Sequence, residues 1–171
     1  FLRMQKRLIS RYPTYDIVIS TSQKFIDTAF RHCFKSKIFA ATGYPRNDIL
    51  FGWPEEGSLS WHLARINVDL QAIQRVKQAA NEGKIICLYA PTYRKSLNNP
   101  FDSAIDLERL SSFASLNNIL IVMKLHPVMQ GRYEFSRYSN ILVYNSAGDV
   151  YPLMPLCHLL ITDYSSIYFD F

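Results

Sequence analysis

A chain of 171 residues, 49% apolar and 19% charged, holds enough apolar side chain for a core and is too apolar for disorder. Six glycines exclude a collagen-like or linker sequence, and no apolar run reaches the roughly 18 residues of a membrane-spanning helix. The net charge of +5 is uneven: residues 1–54 hold nine Lys/Arg against Asp16, Asp27 and Asp48. Such a basic third is either a solvated face or a surface for phosphate, an anionic membrane or nucleic acid. No helix-turn-helix, RNP or zinc-finger pattern supports nucleic acid. Cys33, Cys87 and Cys157 are odd in number and far apart, with no C-x-x-C and no zinc spacing. A reducing, cytoplasmic setting is expected. No signal peptide is visible, and the chain starts at Phe1 and ends at Phe171 inside an apolar run, as an excised piece of a longer protein would.

In chain order, strands are predicted over 15–20 (YDIVIS), 37–42 (KIFAAT), 84–90 (KIICLYA), 119–125 (ILIVMKL), 141–144 (ILVY) and 158–162 (HLLIT). Most of these runs are continuously apolar, as in strands of a parallel sheet covered on both faces. Between them lie helical patterns. Phe25, Ile26, Ala29, Phe30 and Cys33 make one stripe, capped by Ser20, Thr21 or Ser22. Leu63, Ile66, Leu70, Ile73, Val76 and Ala80 make a second stripe that closes near Gly83. Ser103 and Asp106 resemble a capping box that opens a third helix, with Leu107, Leu110 and Phe113 inward. Residues 52–60 and 95–100 read as loops. The alternation predicts an α/β fold with a doubly wound parallel sheet.

In such a sheet, ligands bind beyond the carboxyl ends of the strands. The polar residues there are the site candidates. After the last strand stands Asp163-Tyr164-Ser165-Ser166. Its hydroxyls and the free N–H groups of a following helix can hold a phosphate, or the Ser and Asp can simply cap that helix. His126, fixed by Pro127, can act as a base, bind phosphate, or merely cap its strand. Arg94, with Thr92 and Tyr93, comes after the third strand and can grip a phosphate with two N–H groups or make a surface ion pair. Residues 43–48 (GYPRND) place Arg46 in a turn that can bind an anion or only reverse the chain. His158 reads as structural. A P-loop, a G-x-G-x-x-G, a G-x-S-x-G and a D-x-D are all missing from the sequence. P-loop NTPase, dinucleotide-binding and serine-hydrolase readings are therefore disfavoured, and no obvious carboxylate pair stands ready for a divalent metal.

Four segments in order, GYPRND (43–48), YAPTYR (89–94), KLHP (124–127) and ITDYSSIYFDF (161–171), resemble the CDP-glycerol glycerophosphotransferases of teichoic-acid synthesis. The resemblance runs over nearly the whole chain. It implies a GT-B architecture, two Rossmann-like domains with the active site in the cleft between them. Residues 1–40 would be the end of the N-terminal domain and the crossover. Residues 41–171 would be a C-terminal nucleotide-binding domain cut before its last strand. A catalytic His of the N-terminal domain would lie outside the chain, so the piece alone would be inactive. The implied reaction transfers glycerol phosphate from CDP-glycerol to a hydroxyl of a lipid-linked glycerol-phosphate or saccharide acceptor and releases CMP, with no cofactor and no metal.

By the same resemblance, His126 matches a His required for activity near the donor diphosphate, and Ser165 and Ser166 match residues that contact that diphosphate. Arg94 matches a phosphate- or ribose-side contact, while Asp163, Thr92 and Arg46 support the site. The implied location is the cytoplasmic face of the cell membrane, bound peripherally through the basic third to an anionic surface. Tyr93, Pro152, Pro155 and His158 depart from the family pattern. A GT-B transferase of another nucleotide-activated sugar or polyol, and a non-catalytic α/β binding module, are the competing readings.

Overall fold

The structure, a computed structural model, describes residues 14–92, 105–127 and 134–171. It divides into two compact units, Phe1–Asp48 and Ile49–Phe171. In the first unit, β1 (Thr14–Ser20) pairs in parallel with β2 (Lys35–Ala41), from Thr14 opposite Lys35 to Ser20 opposite Ala41. Between them run α1 (Gln23–Phe25), a π-helical turn at Ile26–Phe30 and α2 (Arg31–Cys33). The cap is Ser22, whose side chain accepts from the Phe25 N–H. Of the expected stripe only Ile26 is buried, and Phe25 is half exposed. The wider π turn rotates the later positions off the line that a regular helix would keep.

The second unit holds a four-stranded sheet in the order β5-β4-β3-β6. Its strands are β3 (Ile85–Tyr89), β4 (Ile119–Met123), β5 (Ile141–Val143) and β6 (Leu159–Ile161). All three pairings are parallel, with Tyr89 opposite Met123 and Ile161, and Met123 opposite Val143. Chain order runs outward from β3 through β4 to β5, then jumps back to β6 on the other side of β3. That reversal is the switch point at which open α/β sheets bind ligands.

Both faces of the sheet are covered, as the unbroken apolar runs predict. One face buries Ile86, Leu88, Leu120, Val122 and Leu142 with Ala72, Ile73, Val76 and Ala79 of α4 (Leu70–Asn81). The other face packs Ile121, Met123 and Ile141 with Ala114 of α5 (Leu107–Leu116) and with Phe135 and Tyr138. The edge strand β6 is the exception, with Leu159 50% and Ile161 53% exposed.

Two helical expectations need correction. The stripe from Leu63 to Ala80 is not one helix. α3 (Leu59–Ala64) ends, Asn67 takes a left-handed φ of 60°, and Asp69 caps α4 through the Ala72 N–H. Asn tolerates that conformation and Asp prefers the cap, so two local signals override one apolar period. At α5 the cap is Asp106 itself, accepting from the Glu108 and Arg109 N–H groups; Ser103 lies outside the described residues. Phe113, expected inward, is 57% exposed, and the neighbouring Ala114 takes the buried position.

Candidate active site

The carboxyl edge of the four-stranded sheet holds a cleft of about 350 Å³. Residues just past each strand end line it: Ala90 and Pro91 after β3, Lys124 and His126 after β4, Ser146 after β5, and Ser165 and Ser166 after β6. Three of the sequence candidates, His126, Ser165 and Ser166, thus line one pocket.

Asp163 does not line the cleft; it shapes it. Its Oδ1 accepts from the Thr92 N–H at 2.8 Å, and the neighbouring Thr162 hydroxyl donates to the Ala90 carbonyl at 2.7 Å. These two bonds tie the loop after β3 to the loop after β6, across the switch point. Thr92 enters through its backbone, as the partner of Asp163. The Asp163 charge also adds to burial in pushing the Tyr89 phenol up.

Ser165 has two aspects. Its Oγ accepts weakly from the Ile167 N–H at 3.4 Å, capping the segment Ser166–Phe169. It also faces the cleft. The segment it caps is a 3-10 turn over Ser166–Phe169 rather than the apolar helix expected. Arg94 lies outside the described residues. Arg46 belongs to the other unit, where its guanidinium stacks on the Tyr44 ring at 4.6 Å. His158 is structural, as the sequence suggests. Its ring Nδ1 accepts from the buried Ile86 N–H at 3.0 Å, and its backbone N–H donates to the Ile86 carbonyl at 2.8 Å.

Sequence reasoning missed the wall supplied by the loop after β5. Lys124 Nζ donates to the carbonyls of Asn145 (2.8 Å), Ser146 (2.7 Å) and Gly148 (2.6 Å). Partial burial pulls its pKa down, with Asp149 and Asp69 working in the other direction. The fully buried Tyr144 accepts from the Asp69 N–H at 3.2 Å and donates to the Asp149 carbonyl at 2.6 Å. Burial pushes its phenol up to about 12. Asp69 Oδ2 accepts from the Asn145 N–H at 3.0 Å. One available signal was Asp69, a cap residue ahead of a strong apolar stripe. The other was Lys124, a cation directly after an apolar strand run. Among the described residues no group of three His, Cys, Asp or Glu is placed to hold a metal, and no helix is long and apolar enough to cross a membrane.

Comparison with known proteins gives the family and the fold. The sequence profile of the family described as CDP-Glycerol:Poly(glycerophosphate) glycerophosphotransferase matches residues 2–171. The chain is 27% identical to a teichoic acid poly(glycerol phosphate) polymerase of Bacillus spizizenii, over 98% of the chain and 41% of that protein. It is 29% identical to the teichoic acid ribitol-phosphate polymerase TarL of Staphylococcus aureus, over 80% of the chain and 23% of that protein. Among solved structures, the wall teichoic acid polymerase TagF carrying H548A aligns with a TM-score of 0.58 at 26% identity, over 98% of the chain and 39% of the TagF chain. TagF carrying H444N and soaked with CDPG aligns with a TM-score of 0.56 at 25% identity. The chain therefore spans less than half the length of these relatives, and its α/β parallel-sheet fold resembles the GT-B-like fold of TagF.

Proposed function

The chain belongs to the CDP-glycerol:poly(glycerophosphate) glycerophosphotransferase family, and on that premise we propose that it supplies the donor-binding half of an enzyme that transfers glycerol phosphate from CDP-glycerol to a hydroxyl of a teichoic-acid-like or capsular polymer, with CMP leaving. The observation that carries this reading is the convergence of His126, Ser165 and Ser166 on one cleft at the switch point of the sheet. A diphosphate needs hydrogen-bond donors and positive charge where its negative charge builds up.

In the reaction, the acceptor oxygen forms a bond to the glycerol-bearing phosphorus. The bond from that phosphorus to the bridging oxygen breaks, and the electron pair leaves with CMP. Such transfers are governed by positioning and charge stabilisation rather than by covalent chemistry on the protein. The Ser165 and Ser166 hydroxyls donate to the diphosphate. The acceptor's proton passes to a base, which is either His126 or a His outside this chain; where the outside His takes the proton, His126 is left to donate to the diphosphate. Asp163 holds the Thr92 amide and so fixes the spacing of the two loops that flank the diphosphate. Arg94 is assigned a diphosphate contact and Arg46 a supporting one, by their motifs alone. Residues 1–40 and 41–171 remain our assignment of the crossover and the nucleotide-binding domain. No cofactor is invoked.

Calorimetric titration of this chain with CDP-glycerol tests the reading. Micromolar-to-millimolar binding is expected, weakened about tenfold or more in His126→Ala and in Ser165→Ala/Ser166→Ala, as loss of one or two charge-assisted hydrogen bonds implies. A folded chain that binds no cytidine ligand, or variants that bind as the wild type does, would refute it.

The similarity to TarL favours one second reading, a ribitol-phosphate donor. The two share the CDP group, so competition between CDP-ribitol and CDP-glycerol in the same titration separates them. The acceptor we propose is lipid-linked, and the enzyme works at the cytoplasmic face of the membrane. The basic residues of positions 1–54 support peripheral attachment. The chain should sediment with anionic phosphatidylglycerol vesicles at low salt, and release by about 0.5 M salt marks the contact as electrostatic. Equal binding to neutral phosphatidylcholine vesicles would contradict it.

A further inference from the structure

Lys124 lines the cleft two residues before His126, yet its donors do not point at open space. An ammonium has three N–H groups. All three positions are occupied, by the carbonyls of Asn145, Ser146 and Gly148 at 2.6–2.8 Å. Three of four successive carbonyls therefore converge on one cation. Without that charge their dipoles would face one another at close range, so the loop keeps this shape only while the cation is there. Gly148 contributes to the same fit. A Cβ at that position would stand 3.0 Å from the Tyr144 ring, 3.1 Å from the Asn145 carbonyl and 3.2 Å from the Asn67 carbonyl, so a larger residue would require its neighbours to give by a few tenths of an ångström.

The loop forms the cleft wall that carries Ser146, on the β5 side and away from the serines after β6. We propose that Lys124 is a positioning residue of the donor pocket: its ammonium holds residues 145–149 in the conformation that receives the nucleotide, rather than binding the nucleotide itself. This inference rests on the donor-binding reading above. It adds a residue and a wall that the family motifs used in the sequence analysis leave without a role. The arrangement also explains why a single strand end serves two purposes. Lys124 and His126 both line the cleft, one to shape it and one to act in it.

The test uses the full chain in three forms: wild type, Lys124→Met and Lys124→Arg. Met keeps the length of the side chain and removes the donors. Arg keeps the charge but presents a planar fork that cannot aim at three separate carbonyls. Urea unfolding first establishes that each form is folded. Hydrogen exchange without ligand is then read at the amides of Asn145, Ala147, Gly148 and Asp149, each hydrogen-bonded within the protein. CDP-glycerol affinity is measured in parallel.

Lys124→Met should speed exchange at these amides about tenfold or more, while the β4 amides stay protected. Its dissociation constant for CDP-glycerol should rise about tenfold or more. Lys124→Arg should fall between the two in both readouts. Lost affinity with unchanged exchange would make Lys124 a direct ligand and overturn the inference. So would a loosened loop with unchanged affinity, or affinity restored by Arg without restored protection. If the wild type binds no CDP-glycerol, the donor reading fails, and unchanged exchange in Lys124→Met would then remove the clamp as well.

Discussion

Ile86 sits in the middle of the core and is fully buried, so its amide needs an acceptor inside the protein. At this point His158, just ahead of β6, supplies one from its ring, and its backbone N–H returns a bond to the Ile86 carbonyl. The ring nitrogen Nδ1 lies one bond beyond Cγ, the same place as an Asp or Asn side-chain oxygen. The departure of His158 from the family pattern therefore still leaves the Ile86 amide with an acceptor. His158→Ala should leave the Ile86 amide unpaired and cost about 1–3 kcal/mol. His158→Asn should recover most of that loss. Urea midpoints of the three forms check this, and an Ala form within about 0.5 kcal/mol of wild type would show that the bond contributes nothing. At the same scale, neighbouring residues of one motif take different parts. Asp163 orders a loop, and Ser165 caps a turn while facing the cleft.

The strands were legible because long apolar runs have only one comfortable place in an α/β protein. All six fall within two residues of their expected limits at either end. The sheet's covered faces arise from the same runs, since Ile85–Tyr89 and Ile119–Met123 have no polar alternation to present to water. Helices were less legible because apolar period alone does not say where a helix stops. The stripe through Leu63 and Ala80 is broken by Asn67 and Asp69, two residues whose backbone preferences act locally and strongly. The single 3-10 turn after Ser165 was also out of reach, because the same hydroxyl pattern begins long helices and short turns alike. Of the site, the parts contributed by β4 and β6 could be read, since the motifs sit directly after those strands. The β5 wall could not be read. Its shape depends on Lys124 meeting carbonyls some 21 to 24 positions away, and no local pattern announces such a pairing.

Across the whole molecule, burial acts in one direction on four weak acids of the second unit. It pushes the Tyr144 phenol up to about 12 and the Cys157 thiol up to about 12, the latter with a smaller push from Cys87. It also raises Cys87 and Tyr89. In the unfolded chain these groups ionise near their ordinary values, about 8.5 for Cys and about 10 for Tyr. Above those values the unfolded state has lost protons that the folded state keeps. The unfolded state then binds fewer protons, and stability falls as pH rises. The stabilising effect of the neutral forms is complete below about pH 8 and is lost as pH climbs through the raised values. Each such group sets a slope of up to about 1.4 kcal/mol per pH unit between its two pKa values. Lys124 opposes this, because its lowered pKa makes the unfolded state the better proton binder just below pH 10.5, but it is one group against four. The urea midpoint, measured under reducing conditions, should therefore be level from pH 7 to 8 and fall steadily from pH 9 to 11. Cys157→Ala should flatten the first part of that fall, where thiols ionise, and leave the later tyrosine part in place. A midpoint constant from pH 8 to 11 would mean that water reaches these groups in the folded protein, and the packing of β3, β6 and the segment Tyr151–Leu156 around Cys157 would have to be looser than the structure has it.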